Sequence, residues 1–149
     1  MYIDIHYLKV LWNESYHRKD NCMDIIIQLG TLNDVDELEQ LYNDLNDYLE
    51  MGINYPGWIK GIYPVRQNAI DGIMSNHLFI AKYNGRIVGS IILKHEPEKE
   101  YRKAKWNFES DYSDVFVIYT LTVHPNYLQC GVGKCLIDFA IQHGKVQHM

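Results

Sequence analysis

Two spacings of hydrophobic residues alternate along the chain and predict strands and helices in a mixed order. A β-branched run over 23–29 is typical of a buried strand. Apolar residues then recur every three or four positions over 35–49, which predicts a helix. Asn33 is the expected N-cap of this helix, and Gly52 is its expected stop. The chain therefore begins its regular structure with a strand followed by a long helix.

Glycine, proline and aromatic residues crowd the segment 52–64, which we call the aromatic loop. Two interpretations stay open: a loop pinned by aromatic packing, or one wall of a substrate pocket. A short helix over 65–74 should follow, with its inward-facing residues expected to be Ile70, Ile73 and Met74.

A β-hairpin is predicted over 77–93. Its strands alternate around Asn84-Gly85, a pair that favours a two-residue turn with positive φ at both positions. Gly89 inside the second strand indicates a bulge or the close approach of another backbone.

The last two predicted elements are an apolar strand over 115–123, ending before His124-Pro125, and a helix that starts near Gly131 and stops at His143-Gly144. The order of elements indicates an α/β or α+β fold, with a mainly antiparallel sheet flanked by helices. Residues 1–22 fit either a strand or a helix, and we treat them as an N-terminal extension.

Composition excludes several classes of protein. The 149 residues carry a net charge of −5, and no basic stripe suited to nucleic acid occurs. No apolar run approaches the roughly 18 residues of a membrane span, and the first 20 residues lack a signal-peptide core, so we expect a cytoplasmic protein. The three cysteines include no C-x-x-C pair, and the seven histidines have no metal-ligand spacing, so we expect no metal.

The most informative chemistry lies where the 115–123 strand runs through a turn into the last helix. Gly131 and Gly133 let successive backbone N–H groups point at one spot, and the helix N-terminus adds positive potential, which suits a pyrophosphate. A nucleotide P-loop is excluded by Leu128 and Cys135, which stand where that motif needs Gly and Ser or Thr. A dinucleotide-binding fingerprint is excluded by Leu136, which replaces its third Gly.

This series of elements resembles the GCN5-related N-acetyltransferase (GNAT) superfamily over residues 23–144. The resemblance includes the first strand, the long helix, the Asn-Gly hairpin with Ile-Val-Gly, and Thr-Val-His-Pro followed by x-x-Gly-x-Gly. It implies a GNAT-like domain over 23–149 and acetyl-CoA as co-substrate. It also implies acetyl transfer to a primary amine of a small molecule or peptide by direct attack.

The resemblance also implies roles for individual residues. The pyrophosphate would be wrapped by the backbone of Gln129, Cys130, Gly131, Val132, Gly133 and Lys134, which we call the phosphate loop. The pantetheine arm would lie along the main chain of Leu121, Thr122 and Val123, with the N–H near Leu121 polarising the thioester carbonyl. The acceptor side would be bordered by Tyr55, Trp58 and Tyr63.

Two residues that depart from the family pattern change these expectations. Leu128 replaces the Gln or Arg that usually opens the loop, so one side-chain contact with the cofactor is lost. Tyr119 occupies the place of a common Glu base, where it acts either on substrate or as a packed aromatic. Alternative bases just after the third strand are His95, Glu96 and Glu98. Cys130 and Cys135 are expected to be small apolar fillers rather than catalysts.

The family usually continues beyond the last helix with further strands, and this sequence ends at Met149. The alternative is therefore an inactive relative that acts as a CoA-binding or interaction module. The 115–123 strand would present an unpaired edge, so we expect a homodimer or a cover from the apolar segment 2–12. Light scattering with and without the first 22 residues tests this expectation.

Overall fold

The computed structural model describes residues 24–52, 54, 56–94 and 117–147. Several predictions fall on residues outside these ranges: the N-terminal extension, Tyr55, and the alternative bases His95, Glu96 and Glu98. In the described part of the chain, no helix is both long enough and apolar enough to span a membrane.

The described strands form one antiparallel sheet in the order β1-β2-β3-β4, which confirms the predicted fold class. The strand bounds are β1 Ile26–Leu29, β2 Leu78–Tyr83, β3 Arg86–Lys94 and β4 Val117–Val123. Among the described residues, β1 and β4 are therefore the two edges of the sheet.

The predicted hairpin is confirmed as β2 and β3. Asn84 and Gly85 have φ of 50° and 76°, as a two-residue turn of this kind requires. The register moves between Ala81 opposite Gly89 and Lys82 opposite Ile87, so that Val88 is the extra residue of a bulge.

A second bulge lies in β4. Ser90 is opposite Thr122 and Ile92 is opposite Tyr119, so β4 holds one more residue than β3 between these two pairs. Thr120, inside the bulge, has φ of 48°. A β-branched residue is a steric outlier in this region, at a cost of about 1–3 kcal/mol, so the surrounding structure must hold it there.

The helices are α1 Val35–Met51, α2 Arg66–Met74 and α3 Val132–Gln147. A 3₁₀ turn, Leu32–Asp34, precedes α1 and has Thr31 as its N-cap. The N-cap of α1 is Asp34, not the expected Asn33. The Asp34 carboxylate accepts hydrogen bonds from the Thr31 N–H at 2.8 Å and the Thr31 hydroxyl at 3.0 Å. At the other end of α1, the N–H of Gly52 reaches the Leu49 carbonyl, as expected of a stop.

The sheet buries both of its faces, because alternate residues pack on opposite sides. Leu78, Ile80 and Ile92 belong to a core shared with α1 and α2. Phe79, Ile91 and Leu93 belong to a core shared with α3, which also takes in Leu45, Leu49 and Trp58.

Three further sequence-based expectations about the ends and faces of elements are wrong. The first strand is an edge strand, not a buried one: Ile26 is 63% exposed. Met74 is 67% exposed, because the inward face of α2 is formed by Ala69, Gly72 and Ile73. Helix α3 continues through Gly144 to Gln147, because glycine weakens a helix without necessarily ending it.

The prediction of a close approach at Gly89 is confirmed. A Cβ added there would lie 2.8 Å from the Thr122 carbonyl oxygen, 2.9 Å from Val132 Cγ1 and 3.1 Å from Leu136 Cδ1. Gly89 therefore lets the start of α3 rest directly on β3 and β4.

Candidate functional site

The outer edge of β4 presents backbone groups that β3 does not use. The His124 N–H donates to the Val88 carbonyl at 2.8 Å, so the backbone of His124 faces β3. Thr122, two residues earlier and opposite Ser90, faces β3 as well. Because backbone groups alternate along a strand, those of Leu121 and Val123 face outward. The predicted main-chain role therefore fits Leu121 and Val123, whereas the main chain of Thr122 is directed at β3.

A tight turn carries the chain from β4 to α3. The 3₁₀ turn Pro125–Tyr127 is capped by the His124 side chain, which accepts a hydrogen bond from the Asn126 N–H. Gln129 and Gly131 follow with φ of 64° and 84°. Left-handed residues alternating with right-handed ones form the concave backbone arrangement that binds anions.

The start of α3 supplies the amides of this arrangement. The helical hydrogen-bond ladder begins with the Cys135 N–H donating to the Gly131 carbonyl at 3.0 Å. The N–H groups of Val132, Gly133 and Lys134 consequently have no acceptor inside the helix. Nothing lies within 4 Å of a Cβ placed on Gly131, so the space above it is open to a ligand. These features fit the phosphates of a CoA molecule.

Two residues of the phosphate loop have local partners that the sequence did not reveal. The Cys130 N–H donates to the Tyr127 carbonyl at 3.3 Å, so it closes the turn. Lys134 Nζ lies 3.3 Å from Asp138 Oδ2, one helical turn along α3. Both side chains are about half exposed, so the pair is weak and an anion can compete for the lysine.

The aromatic loop is held inward by packing. Trp58 is 2% exposed and belongs to the α3-side core. The Asn54 side chain accepts from the Trp58 N–H at 3.2 Å and donates to the Trp58 carbonyl at 2.7 Å. The interpretation as a loop pinned by aromatic packing therefore describes Trp58, and a contact between Trp58 and substrate stays a prediction.

Tyr63 connects the aromatic loop to β4. Its hydroxyl is hydrogen-bonded to Thr120 Oγ1, inside the β4 bulge. Its carbonyl accepts from Asn46 Nδ2 at 3.1 Å, and its ring meets that of Trp58 edge-on at 5.9 Å. Asn46 is 2% exposed, and its Oδ1 has no hydrogen-bond partner among the described residues.

A set of buried hydroxyls lies beside this connection. Ser90 Oγ and Thr122 Oγ1 are 2.7 Å apart, and both side chains are fully buried. Burial raises the pKa of the Tyr42 phenol well above its ordinary value, an effect only partly offset by the nearby Ser90 hydroxyl and increased by Tyr63. Tyr42 therefore stays protonated at neutral pH and is not a base.

Tyr119, the predicted counterpart of the family's base, lies in the core between the sheet, α1 and α2. It is 3% exposed and pairs with Ile92 across β3. Lys94 Nζ lies 5.1 Å from the centre of its ring. This placement favours the packed-aromatic interpretation over a contact with substrate.

A cavity of about 450 Å³ lies between α1, the start of β3 and the turn after β4. Its walls include the hydrogen bond between His124 Nε2 and Asp44 Oδ2, at 2.9 Å. Partial burial raises the pKa of Asp44, but hydrogen bonds from His124 and Gln40 outweigh it and hold that pKa below its usual value. The sequence-predicted site residues do not line this cavity.

Two hydrogen bonds were not predicted from the sequence. One joins His124, just after β4, to Asp44 of α1, and the other joins Tyr63 of the aromatic loop to Thr120 of β4. Each joins residues far apart in the chain, so no local spacing indicates it. The available signal in the sequence was the pair of polar residues, Thr120 and Thr122, inside the apolar 115–123 strand. In the described ranges, no group of three or more His, Cys, Asp or Glu side chains could hold a metal ion.

Comparison with protein families gives a match to the acetyltransferase (GNAT) family over residues 38–149. A search of the curated proteins finds no match. The family match covers α1 from Leu38 onward, α2, the hairpin, β4, the phosphate loop and α3.

Solved structures of other proteins share this fold, and two of them are described as acetyltransferases. A Staphylococcus aureus Mu50 protein assigned as an acetyltransferase shares 21% identity at a TM-score of 0.65, covering 83% of this chain and 74% of its own. The PaiA N-acetyltransferase of Thermoplasma acidophilum, solved in complex with coenzyme A, shares 19% identity at a TM-score of 0.60, covering 85% of this chain and 75% of its own. At these identities the likeness shows the fold.

Proposed function

Because this chain belongs to the GNAT acetyltransferase family, we propose that it moves the acetyl group of acetyl-CoA to a primary amine of a small molecule or peptide. The coenzyme A bound to the structurally similar PaiA enzyme supports the choice of acetyl donor. The acceptor class rests on the resemblance to the family.

One observation carries the proposal most directly. The outward-facing backbone of β4 leads, through a single turn, to amides at the start of α3 that have no acceptor inside the helix. A CoA thioester has the matching parts: an amide-bearing arm that can pair with a strand, and a pyrophosphate that suits a helix N-terminus.

In the proposed reaction, the neutral amine attacks the thioester carbonyl directly and forms the C–N bond, and the C–S bond breaks. The proton that the amine nitrogen loses passes through water to the CoA thiolate, so the products are the amide and free CoA. The outward N–H of Leu121 stabilises the negative charge that develops on the carbonyl oxygen. No residue needs to form a covalent intermediate, so no nucleophile has to be assigned. The phosphate loop, residues 129–134, positions the donor but takes no part in bond making.

Calorimetry with acetyl-CoA, run beside turnover with a panel of primary amines, tests the proposal. Binding together with CoA release that depends on an amine supports it. Binding without turnover by any amine selects the alternative, a CoA-binding module. Absence of binding at millimolar acetyl-CoA contradicts both.

We also propose that the chain acts in the cytoplasm and forms a homodimer through β4. This strand is the outermost one among the described residues on its side of the sheet, and unpaired strand edges favour association. Since a second copy and the pantetheine arm would share this edge, acetyl-CoA should shift the equilibrium toward monomer in light scattering. A monomer at every concentration contradicts the dimer.

A further inference from the structure

We propose that Tyr63 is a positioning residue: its hydroxyl holds Thr120 in the left-handed conformation of the β4 bulge and thereby fixes the direction of the Leu121 N–H. The consequence for acetyl transfer rests on the proposed function, whereas the structural link between Tyr63 and the bulge does not.

Thr120 has an unfavourable backbone conformation that interactions with its surroundings must stabilise. With φ of 48°, a β-branched residue is unfavourable, and a regular strand would avoid the strain altogether. Thr120 is 1% exposed, so bulk water does not reach its hydroxyl, and the hydroxyl needs a hydrogen-bond partner inside the protein. The hydrogen bond between Thr120 Oγ1 and the Tyr63 hydroxyl is therefore well placed to compensate for the strain.

Tyr63 is itself fixed from several directions, as such a role requires. Its N–H donates to the Ile59 carbonyl at 3.0 Å, and its carbonyl accepts from Asn46 at 3.1 Å. Trp58, which is buried, supports the ring edge-on. The hydroxyl consequently reaches Thr120 from a rigid base, so its position is set before any ligand binds.

The bulge matters because it determines where the neighbouring amide points. Thr120 and Leu121 are the two residues that β4 holds between its Tyr119 and Thr122 pairs with β3. Relaxation of Thr120 to an extended conformation would change the register of Leu121 and turn its N–H. A donor that stabilises charge only in the transition state is sensitive to direction, so kcat should fall more than the affinity for acetyl-CoA.

The first test replaces Tyr63 with Phe, which removes the hydroxyl and keeps the ring against Trp58. We expect kcat to fall about tenfold to a hundredfold, the range associated with misplacement of a reacting group by roughly 1 Å. The KM for acetyl-CoA should change by less than about threefold, which marks loss of a transition-state interaction. Tyr48→Phe, the same chemical change at a half-exposed position of α1, is the matched control and should leave kcat unchanged.

The second test examines the other end of the bond. Thr120→Val removes the hydroxyl and should reproduce the loss of Tyr63→Phe, whereas Thr120→Ser keeps it and should restore most of the activity. The double variant Tyr63→Phe/Thr120→Val should be no worse than either single variant, since both remove the same interaction. Additive losses, or equal damage from Ser and Val, would overturn the proposal.

The third measurement does not depend on activity. The Leu121 amide resonance of ¹⁵N-labelled protein should move in Tyr63→Phe and stay in place in Tyr48→Phe. An unmoved Leu121 amide in a folded Tyr63→Phe variant overturns the positioning role, whatever the enzyme does. If the wild-type protein shows no turnover, the proposed function fails, and the amide shift still decides whether Tyr63 holds the bulge.

Discussion

The phosphate loop and the aromatic loop both approach β4, and both contain left-handed residues. They differ in whether their backbone polar groups have hydrogen-bond partners within the fold. Around Gly131, the first amides of α3 lack acceptors inside the helix, and a Cβ added to Gly131 would meet only open space. In the aromatic loop, the side chains of Asn46 and Asn54 satisfy the backbone polar groups of Tyr63 and Trp58. A concave backbone turn can be recognised from glycine spacing, whereas a packed support depends on partners distant in sequence.

The largest expected effect comes from the backbone of the phosphate loop. Gly131→Val forces a β-branched residue to φ of 84°, a strain of about 1–3 kcal/mol, and fills the space that the phosphates would occupy. We expect calorimetry to show no acetyl-CoA binding. The matched control is Gly85→Val, which has φ of 76° and equally open surroundings but lies in the hairpin turn. It should lose stability and keep its affinity; equal loss of affinity in both variants would mean that strain alone explains the result.

The next effect concerns the packed support. Trp58→Ala should lower the free energy of unfolding by about 3–5 kcal/mol, because it removes a large buried ring. The neighbouring Ile59→Ala, at a residue 59% exposed, should stay within about 0.5 kcal/mol of wild type. Denaturant unfolding measures both. Similar stabilities would show that the aromatic loop is not part of the core.

A smaller effect is expected from the lysine at the start of α3. Lys134→Gln should weaken acetyl-CoA binding by about twofold to fivefold at low salt and less at high salt, because an exposed charge is screened. Asp138→Asn releases the lysine from its partner and should leave affinity unchanged or slightly improved. A loss in Asp138→Asn as large as that in Lys134→Gln would indicate damage to the helix instead.

The smallest effect concerns the pH dependence of stability. The pKa of Asp44 is lower in the folded than in the unfolded chain, so ionised Asp44 stabilises the fold above the unfolded value of about 4. This stabilisation is lost as the pH falls through the folded pKa. Asp44→Asn should therefore flatten the decline of Tm below about pH 4. Asp47→Asn, on the same helix and paired with Lys60, is the control. An unchanged acid profile in Asp44→Asn would contradict a stabilising pair with His124.

Local patterns predicted the elements and the glycine turn before α3 because each depends on neighbours in sequence. Asn84-Gly85 fixed the hairpin turn, and the helical spacing from Val35 onward fixed the core face of α1. Burial was harder to predict. The apolar run of β1 reads as interior, yet the sheet places it at an edge, and only the strand order decides that position.

In the candidate site, too, features that depend on neighbouring residues could be predicted, and those that depend on long-range pairing could not. The roles proposed for Leu121 and Val123 agree with the outward direction of their backbone, but the bulge at Thr120 could not be foreseen, because it depends on pairing with β3. Composition left two interpretations of the aromatic loop open, packing or a pocket wall, and the burial of Trp58 follows from contacts with strands and helix α3.

The missing side chain of Gly89 has a consequence for the size of molecule that this surface can accept. A Cβ on residue 89 would be 2.8 Å from the Thr122 carbonyl oxygen and 2.9 Å from Cγ1 of Val132, the first residue of α3, which is too close for a side chain. The amides of the helix start are thereby kept at one separation from the outward groups of β4. A ligand that binds both the helix start and the edge of β4 must span that separation. The absence of a side chain at Gly89 therefore sets the length of ligand that fits. Thioesters whose acyl end and phosphates are linked by a shorter chain would fill one end of the surface and leave the other empty.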